Sequence, residues 1–275
     1  MAIFKEQVTL NDGQNIPKLG LGVWQATQEQ ASIAVREALQ HGYQLIDTAA
    51  IYENEQGVGR GIQESGVKRE DVFVTTKVWN DAHGGEATAI ALEQSLERLK
   101  LDYVDLYLIH WPVPSTDKYV ETWQNLISLK EKGLVRSIGV SNFHEAHLRR
   151  LLNETGVTPA INQIEIHPYF QQRPLRAVNQ ELNIRTQSWS PLAQNKAIED
   201  EVIKTIALKH NKTTAQIIIR WHLQNDLILI PKTVTPTRIK ENFDVFNFEL
   251  DDEDLKRISL LDRGERLGPD PDLFG

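Results

Sequence analysis

The chain has 275 residues, of which 40% are hydrophobic and 25% charged, a composition that suits a globular protein with a substantial apolar core. Its 38 acidic residues outnumber the 30 lysines and arginines, so the net charge of −8 argues against nucleic acid or an anionic membrane as a partner. The lack of cysteine excludes disulfides, thiolate metal ligands and a cysteine nucleophile, and it suits a reducing compartment.

The N-terminal stretch MAIFKEQVTL lacks the basic start and long apolar core of a secretory signal. No later run approaches the roughly 18 consecutive apolar residues that a membrane span needs. No low-complexity linker, charge block or change of composition marks a domain boundary. We therefore predict a single domain over residues 1–275, in the cytoplasm and without membrane attachment.

The first predicted element is a β-hairpin in VTLNDGQNIP, where Asp12 and Gly13 form a turn dipeptide between apolar residues. After it, a unit of about 30 residues recurs, consisting of a short β-branched or apolar run, a polar residue and a helical pattern. The strand-like runs are Leu19–Val23, Tyr43–Ile46, Val72–Thr76, Val104–Ile109, Val135–Val140, Ala160–Ile164, Ile184–Trp189 and Leu227–Ile230.

Eight strands that alternate with helices predict a closed parallel (β/α)8 TIM barrel, with a doubly wound open sheet as the weaker alternative. The hairpin would close the bottom of this barrel. The helical stretches include ATAIALEQSLERLK, with apolar residues at helical spacing, and YVETWQNLISLKEKG, which Gly133 closes as a C-terminal cap. The glycines of GVGRG, residues 57–61, have the wrong spacing for a dinucleotide fingerprint and follow no strand, so we expect them to allow close helix packing.

Ionisable residues of three different types end successive predicted strands. Asp47 follows the second run, Lys77 the third and His110 the fourth, and active sites of TIM barrels lie at these carboxyl ends. Each residue alone is better explained as part of a buried ion pair or as a core histidine. A scaffold gains nothing from burying all three, however, so the set predicts a catalytic site.

Tyr52 stands five residues after Asp47 and completes the predicted site. A phenol with a pKa near 10 is a weak acid at neutral pH. We expect a cationic Lys77 to lower the pKa of Tyr52 and Asp47 to hold the lysine charged and in place. His110 would orient a substrate oxygen, so the four residues suit the delivery of a proton to a carbonyl oxygen.

These four residues lie in GYQLIDTAAIYENE, VFVTTKVW and DLYLIHWP, which resemble the catalytic motifs of the aldo-keto reductases. SIGVSNF, NQIEIHP, WSPLA and IPKTVTPTRIKEN resemble further segments of that family in the same order, so the likeness covers essentially the whole chain. Within the family, the short loops and the tail LGPDPDLFG are similar to those of bacterial 2,5-diketo-D-gluconate reductases of the A type.

The resemblance implies a TIM barrel that binds NADPH without a Rossmann fold and acts as a monomer on a small carbonyl substrate. The implied reaction reduces 2,5-diketo-D-gluconate to 2-keto-L-gulonate, and methylglyoxal, β-keto esters and other aldehydes or ketones are further expected substrates. Tyr52 matches the proton donor of the family, and Lys77, Asp47 and His110 match the rest of its catalytic tetrad.

The resemblance also implies the residues that bind the coenzyme. The partners of the nicotinamide carboxamide match Ser141, Asn142 and Gln163. Trp189 matches the aromatic position that stacks on the nicotinamide. The pyrophosphate region matches Ser190 and Leu192. At the adenosine end, the family's clamp on the 2′-phosphate matches Lys232, Thr233 and Arg238. The family's adenine contacts match Glu241 and Asn242. Thr233 departs from the serine common in the family but keeps the hydroxyl. Two cations and a hydroxyl near a helix start suit a dianion in this acidic protein.

The substrate pocket is predicted from aromatic residues that follow strand ends. Trp24, Trp79 and Trp111 are expected to wall the pocket mouth beside His110. The tail, residues 267–275, folds over this mouth in one interpretation and is a frayed terminus in the other. No basic cluster beyond the coenzyme clamp marks a site for the carboxylate of a sugar acid.

A metal-dependent barrel hydrolase is a first alternative, with His83, His110 and Asp47 as ligands. The sequence has no paired His-x-His strand end, and His144 and His147 are predicted to lie on an exposed helix face. We therefore expect no metal site.

Two further alternatives use the same fold. A Schiff-base aldolase would need a neutral Lys77 as its nucleophile, whereas Asp47 should keep that lysine charged. A non-catalytic protein that senses nicotinamide and binds a partner would keep the coenzyme site, but the intact set of four ionisable residues argues against it.

Overall fold

The computed structural model describes residues 6–275, in which eight parallel strands form a barrel preceded by a two-stranded hairpin. Barrel strands β3 to β10 pair in the order in which they occur along the chain. The strands are β1 (Gln7–Thr9), β2 (Asn15–Pro17), β3 (Gly20–Gly22), β4 (Leu45–Asp47), β5 (Phe73–Val78), β6 (Val104–Ile109), β7 (Val135–Ser141), β8 (Ile161–Glu165), β9 (Arg185–Trp189) and β10 (Ile228–Leu229).

The sheet closes on itself where the segment of β3 meets that of β10. Parallel bridges join Leu19 to Leu229 and Gly22 to Lys232. Each of the eight predicted runs contains or overlaps one barrel strand, so the predicted TIM barrel is confirmed and the open sheet is wrong. Strands buried on both faces read as nearly continuous apolar runs, which is why the runs were visible in the sequence.

Ten α-helices and five short 3₁₀ helices connect the described strands. The α-helices are α1 (Gln28–Gln40), α2 (Glu55–Ser65), α3 (Gly85–Leu99), α4 (Tyr119–Glu131), α5 (Glu145–Thr155), α6 (Arg173–Glu181), α7 (Glu201–His210), α8 (Thr214–Gln224), α9 (Pro236–Phe243) and α10 (Asp252–Ser259). The 3₁₀ helices are Ala50–Tyr52, Arg69–Asp71, Asn80–Ala82, Ala193–Asn195 and Ala197–Glu199. No helix in the described part of the chain has the length and apolar character to cross a membrane.

The predicted helical stretches form α3 and α4. Leu92, Leu96 and Leu99 are buried along one side of α3, as their spacing predicts. Gly133 follows the end of α4 with a φ of 78°, a left-handed conformation that glycine adopts at little cost.

The N-terminal hairpin closes the bottom of the barrel, as predicted. Strands β1 and β2 pair antiparallel, and Val8 lies opposite Ile16. Leu10 and Ile16 are buried in one cluster with Leu45 and Phe73, which begin two barrel strands. The hairpin therefore seals the amino ends of the strands and leaves the carboxyl ends open.

The glycines of the GVGRG segment let α2 lie close against α1. A Cβ atom on Gly57 would stand 2.1 Å from the carbonyl oxygen of Gln28, and one on Gly61 would stand 2.6 Å from that of Ser32. No other residue fits at such distances, so the prediction that these glycines serve helix packing is confirmed.

Candidate active site

A cavity of about 540 Å³ opens at the carboxyl ends of the barrel strands. The predicted site residues that line it are Trp24, Asp47, Tyr52, Trp79, His110, Trp111, Ser141, Asn142, Gln163, Trp189, Ser190 and Lys232. Lys77 lies beneath this lining and has no exposed surface. The structure thus brings together residues that are far apart in the sequence.

Asp47 and Lys77 form an ion pair at the bottom of the cavity, where Asp47 belongs to the lining and Lys77 lies beneath it. The ammonium Nζ of Lys77 donates to Asp47 Oδ1 at 2.5 Å and to the carbonyl oxygen of Thr48 at 2.8 Å. Burial raises the pKa of the Asp47 carboxyl and lowers the pKa of the Lys77 ammonium, and the attraction between the two groups opposes both shifts. The Nζ lone pair of a neutral Lys77 would be free to attack a carbonyl only after the contact with Asp47 is broken, which argues against the Schiff-base alternative.

Tyr52 lies above this pair, with the ring centroid 5.1 Å from Lys77 Nζ. Burial, and then the negative charge of Asp47, hold the pKa of the Tyr52 phenol well above its usual value of 10.0. The prediction that Lys77 lowers this pKa is therefore wrong. Burial disfavours the charged phenolate, and the nearby carboxylate of Asp47 repels it, so both causes raise the pKa of Tyr52.

His110 lies next to the tyrosine as a neutral imidazole. The centroids of its ring and the Tyr52 ring are 5.7 Å apart, with the planes inclined at 73°. Burial, and then the charge of Lys77, hold the pKa of His110 well below 6.5. A neutral ring keeps one N–H, which can donate a hydrogen bond but is not a charged acid.

The position of Tyr52 depends on a loop that Asn54 holds in place. Tyr52 ends a 3₁₀ helix directly after β4, and Asn54 follows it with a fully buried side chain. Asn54 accepts a hydrogen bond from Thr48 Oγ1 at 2.8 Å and donates to the carbonyl oxygens of Val23 and Ala26. Sequence reasoning does not single out Asn54, because its role depends on the loop after β3.

The predicted nicotinamide partners form a connected group on the opposite wall. Asn142 has a φ of 63°, an uncommon conformation that asparagine tolerates, and its Nδ2 donates to the carbonyl oxygen of His110 at 3.0 Å. Trp189 Nε1 donates to Asn142 Oδ1 at 2.9 Å. Gln163 Nε2 donates to Asp47 Oδ2 and to Gln187 Oε1, both at 2.8 Å, and so joins this group to the ion pair.

The remaining predicted coenzyme residues lie farther along the chain. Lys232 is exposed at the rim of the cavity, whereas Arg238 is exposed on α9 and does not line it. Four others also lie outside the lining: Leu192, Thr233, Glu241 and Asn242. Within residues 6–275, neither Lys232 nor Arg238 forms an ion pair, so both charges are free to meet an anion.

The C-terminal tail covers part of the cavity, as one of its two predicted interpretations holds. Leu267, Gly268, Pro269 and Phe274 contribute to the lining. The Phe274 ring packs against Trp111 with centroids 4.5 Å apart. The alternative interpretation, a frayed terminus, is thus wrong, because the tail has specific contacts up to its last aromatic residue.

Five lining residues are outside the sequence predictions: Gly22, Gln25, Ile51, Gln194 and Ile230. Three of them adjoin predicted features, since Gln25 follows Trp24, Ile51 precedes Tyr52 and Ile230 ends a predicted run. A position next to a predicted site residue or at the end of a predicted strand is therefore a signal that could have identified these three residues.

Among the described residues, the ligand atoms of His83, His110 and Asp47 do not lie close enough together to share one metal ion. Within residues 6–275, the grouping of potential metal ligands that the structure shows is His144, Asp270 and Asp272 on the surface. The prediction that His144 and His147 lie on an exposed helix face is wrong, because His144 is half-buried and precedes α5 as its N-cap. His147 is buried, and its Nδ1 accepts the backbone N–H of His144 at the start of the helix.

Fold and site define a barrel enzyme with its acid and base groups at the carboxyl ends of the strands. Residues 18–263 match the family model described as the aldo/keto reductase family, so the chain belongs to this family. The predicted family and the predicted oxidoreductase class are confirmed.

The chain is similar over its full length to several named relatives. It is 56% identical to proteins named methylglyoxal reductase DkgA from Yersinia pestis and Escherichia coli, over 98% of this chain and 97% and 98% of theirs. An aldo-keto reductase from Mycolicibacterium smegmatis is 53% identical, with 98% of each chain covered.

Solved structures show the same similarity. A variant of Gox0644 crystallised in complex with NADPH has a TM-score of 0.95 and 47% identity, over 98% of this chain and 99% of that one. An aldo/keto reductase from Brucella melitensis has a TM-score of 0.91 and 55% identity, over 94% and 99% of the two chains.

Proposed function

We propose that this chain reduces small carbonyl compounds to alcohols with NADPH, and that Tyr52 donates the proton. The observation that carries this proposal is the shared cavity. In it, Tyr52 and His110 lie beside the group formed by Asn142 and Trp189, above the buried Lys77. The membership in the aldo/keto reductase family and the NADPH complex of the similar Gox0644 variant support the choice of coenzyme.

The adenosine end of NADPH fits the two free cations. A 2′-phosphate carries close to two negative charges, and Lys232 and Arg238 have no carboxylate partner among the described residues. Thr233, between them in the sequence, offers a hydroxyl. We assign the 2′-phosphate to these three residues and the adenine ring to Glu241 and Asn242.

The nicotinamide end fits the group around Asn142. Gln163 donates both amide hydrogens to Asp47 and Gln187, which leaves its Oε1 to accept from a carboxamide NH₂. Ser141 and Asn142 complete the assigned carboxamide partners. The indole of Trp189 offers a rigid face for stacking, and we assign the pyrophosphate to Ser190 and Leu192.

When bound, NADPH supplies the hydride that is added to the carbonyl carbon. Negative charge grows on the carbonyl oxygen at the same time, and Tyr52 donates its phenolic proton there. The raised pKa of Tyr52 keeps the phenol protonated before the reaction, and the Lys77 ammonium stabilises the phenolate once the proton has left. His110 donates a hydrogen bond that holds the carbonyl oxygen toward Tyr52.

The substrate end of the cavity favours neutral dicarbonyls. Trp24, Trp79 and Trp111 contribute aromatic rings to the wall, and Lys232 is the one lysine or arginine in the described lining. A wall with few polar groups rejects few analogues, so we propose methylglyoxal, β-keto esters, simple aldehydes and 2,5-diketo-D-gluconate as substrates. Two similarities support this range. The chain resembles 2,5-diketo-D-gluconate reductases, and it is 56% identical in sequence to a protein named methylglyoxal reductase DkgA.

We expect kcat/KM with NADPH to be at least about tenfold higher for methylglyoxal than for 2,5-diketo-D-gluconate, because no cation at the substrate end offsets the desolvation of a carboxylate. The measurement is the initial rate of NADPH loss with each proposed substrate. A higher value for the sugar acid would contradict the preference for neutral compounds. Binding of NADPH without turnover of any carbonyl would favour the non-catalytic sensor.

Arg238→Ala should weaken the preference for NADPH over NADH. The change removes one of two cations from the assigned phosphate clamp, so KM for NADPH should rise at least about tenfold while KM for NADH and kcat at saturation change little. Arg149→Ala is the matched control, because Arg149 is an exposed arginine that binds Glu145 and Glu181. Equal use of both coenzymes by the unmutated chain would refute the assignment.

A further inference from the structure

Glu165 is a buried carboxylate for which the proposed reaction has no use. It ends β8 at the cavity side of the barrel, and its side chain has no exposed surface. Oε1 accepts the backbone N–H of Leu267 at 2.7 Å, and Oε2 accepts that of Gly268 at 2.9 Å. His167 Nε2 lies 2.9 Å from Oε1. Two of its three partners therefore belong to the C-terminal tail.

A purely structural role does not explain a carboxylate at this position. Asp105, a second buried carboxylate, pairs with Arg69 and Arg136. No lysine or arginine within residues 6–275 pairs with Glu165. In the described part of the chain, the one ionisable group that contacts the Glu165 carboxylate is His167. Because burying a carboxylate is costly, an apolar residue would serve β8 better unless the N–H groups of the tail need an acceptor.

The anchored part of the tail touches the assigned nicotinamide group. A Cβ atom on Gly268 would stand 2.4 Å from Cη2 of Trp189, so the tail backbone lies directly against the indole. Trp189 in turn donates its Nε1 proton to Asn142. Glu165, Gly268, Trp189 and Asn142 thus form a continuous chain of contacts.

Beyond Gly268, the same tail becomes the wall of the substrate end. Pro269 and Phe274 line the cavity, and the Phe274 ring packs on Trp111. The hydroxyl of Ser115 donates to the carbonyl oxygen of Gly275 at 3.2 Å. Glu165 holds the tail before this wall, and contacts of Asp272 with His144 and of Gly275 with Ser115 hold it farther on.

We propose that Glu165 is a positioning residue for carbonyl reduction: it holds the tail at Leu267 and Gly268 so that the tail supports Trp189 and encloses the substrate. This inference rests on the proposed function, because only that proposal assigns the nicotinamide to the group that contains Trp189. It assigns to Glu165 an effect on the affinity for substrate and coenzyme, not on the chemical step.

Glu165→Gln separates this role from simple packing. A carboxylate offers an acceptor oxygen to each tail N–H, whereas the amide offers one oxygen and turns an NH₂ group toward the other N–H. One of the two hydrogen bonds from the tail should then be lost, and because glutamine has nearly the same size as glutamate, no cavity should form in the core. KM for methylglyoxal and for NADPH should each rise about tenfold, while kcat changes by less than about threefold.

Asp105→Asn is the matched control. It also removes the charge of a buried carboxylate, but one that accepts the N–H of Val74 and has no contact with the tail. We expect it to lower the melting temperature and leave both KM values unchanged. Loss of active enzyme through instability would lower the apparent kcat, so the separation of KM from kcat distinguishes the two roles.

Gly268→Ala tests whether the effect passes through the tail. Its methyl group would displace the tail from Trp189, so this variant alone should raise both KM values in the same way. In the double variant with Glu165→Gln, the increase should not exceed that of the larger single change, because both act on one contact. Additive effects, or a wild-type KM in either single variant, would overturn the proposal.

Hydrogen exchange provides a readout that does not depend on turnover. The amides of Leu267 and Gly268 should be protected in the unmutated chain, and at least one should exchange faster after Glu165→Gln, while the core strands stay protected. Unchanged exchange at both amides would refute the anchor. Absence of NADPH turnover by the unmutated chain would instead refute the proposed function, so the two failures are distinguishable.

Discussion

Tyr52→Phe should lower kcat for carbonyl reduction by roughly 10²–10⁴-fold and leave the affinity for NADPH nearly unchanged. The substitution preserves the ring and deletes only the acid. The remaining donor near the carbonyl oxygen is a neutral His110, which orients that oxygen but is a weak acid in this environment. The measurements are single-turnover rates with methylglyoxal and a fluorescence titration with NADPH.

Tyr103→Phe is the control for this prediction. Tyr103 precedes β6 at the opposite end of the barrel, and its hydroxyl accepts a hydrogen bond from Arg136 at 2.8 Å. Deleting that hydroxyl should cost about 1 kcal/mol of stability or less and leave kcat unchanged. If Tyr52→Phe keeps most of the activity, or loses NADPH binding as completely as turnover, Tyr52 is not the proton donor.

Lys77→Met should abolish most activity and also destabilise the fold. It removes the cation that stabilises the developing phenolate, and it leaves Asp47 buried without a charged partner. Breaking a buried ion pair on one side typically costs about 3–5 kcal/mol. We therefore expect a large drop in kcat together with a lower free energy of unfolding in urea, which Tyr52→Phe should not show.

Two companion variants separate catalysis from stability. Asp47→Asn keeps the shape and the hydrogen-bonding positions, so its effect on kcat should be smaller than that of Lys77→Met. The double change Lys77→Met and Asp47→Leu removes both charges, and it should recover much of the lost stability without recovering activity. Recovery of activity in this double variant would show that the pair serves packing alone.

The barrel was predictable because its signals are local. Strands buried on both faces, such as Val104–Ile109, appear as short continuous apolar runs in the sequence. The strand ends then place Asp47, Lys77 and His110 at one mouth without any knowledge of the helices. The hairpin turn at Asp12 and Gly13 is local in the same way.

The charge state of the site was not predictable from the residues alone. A lysine near a tyrosine suggests a lowered phenol pKa, yet the pKa of Tyr52 is raised. The direction depends on how completely the phenol is buried and on how close it lies to the charge of Asp47. Both are properties of packing among β4, β5 and the loop that Asn54 holds.

The sequence by itself determined the eight strands, their alternation with helices and the ionisable residue types at the strand ends, because each depends on neighbours within a few positions. Only the tertiary structure decided how the tail lies. Its anchor joins Leu267 to Glu165 across 102 positions of the chain. A carboxylate within NQIEIHP shows its partner only when the barrel brings the end of the chain to the end of β8, since hydrogen bonds of this kind have no periodic signal in the sequence.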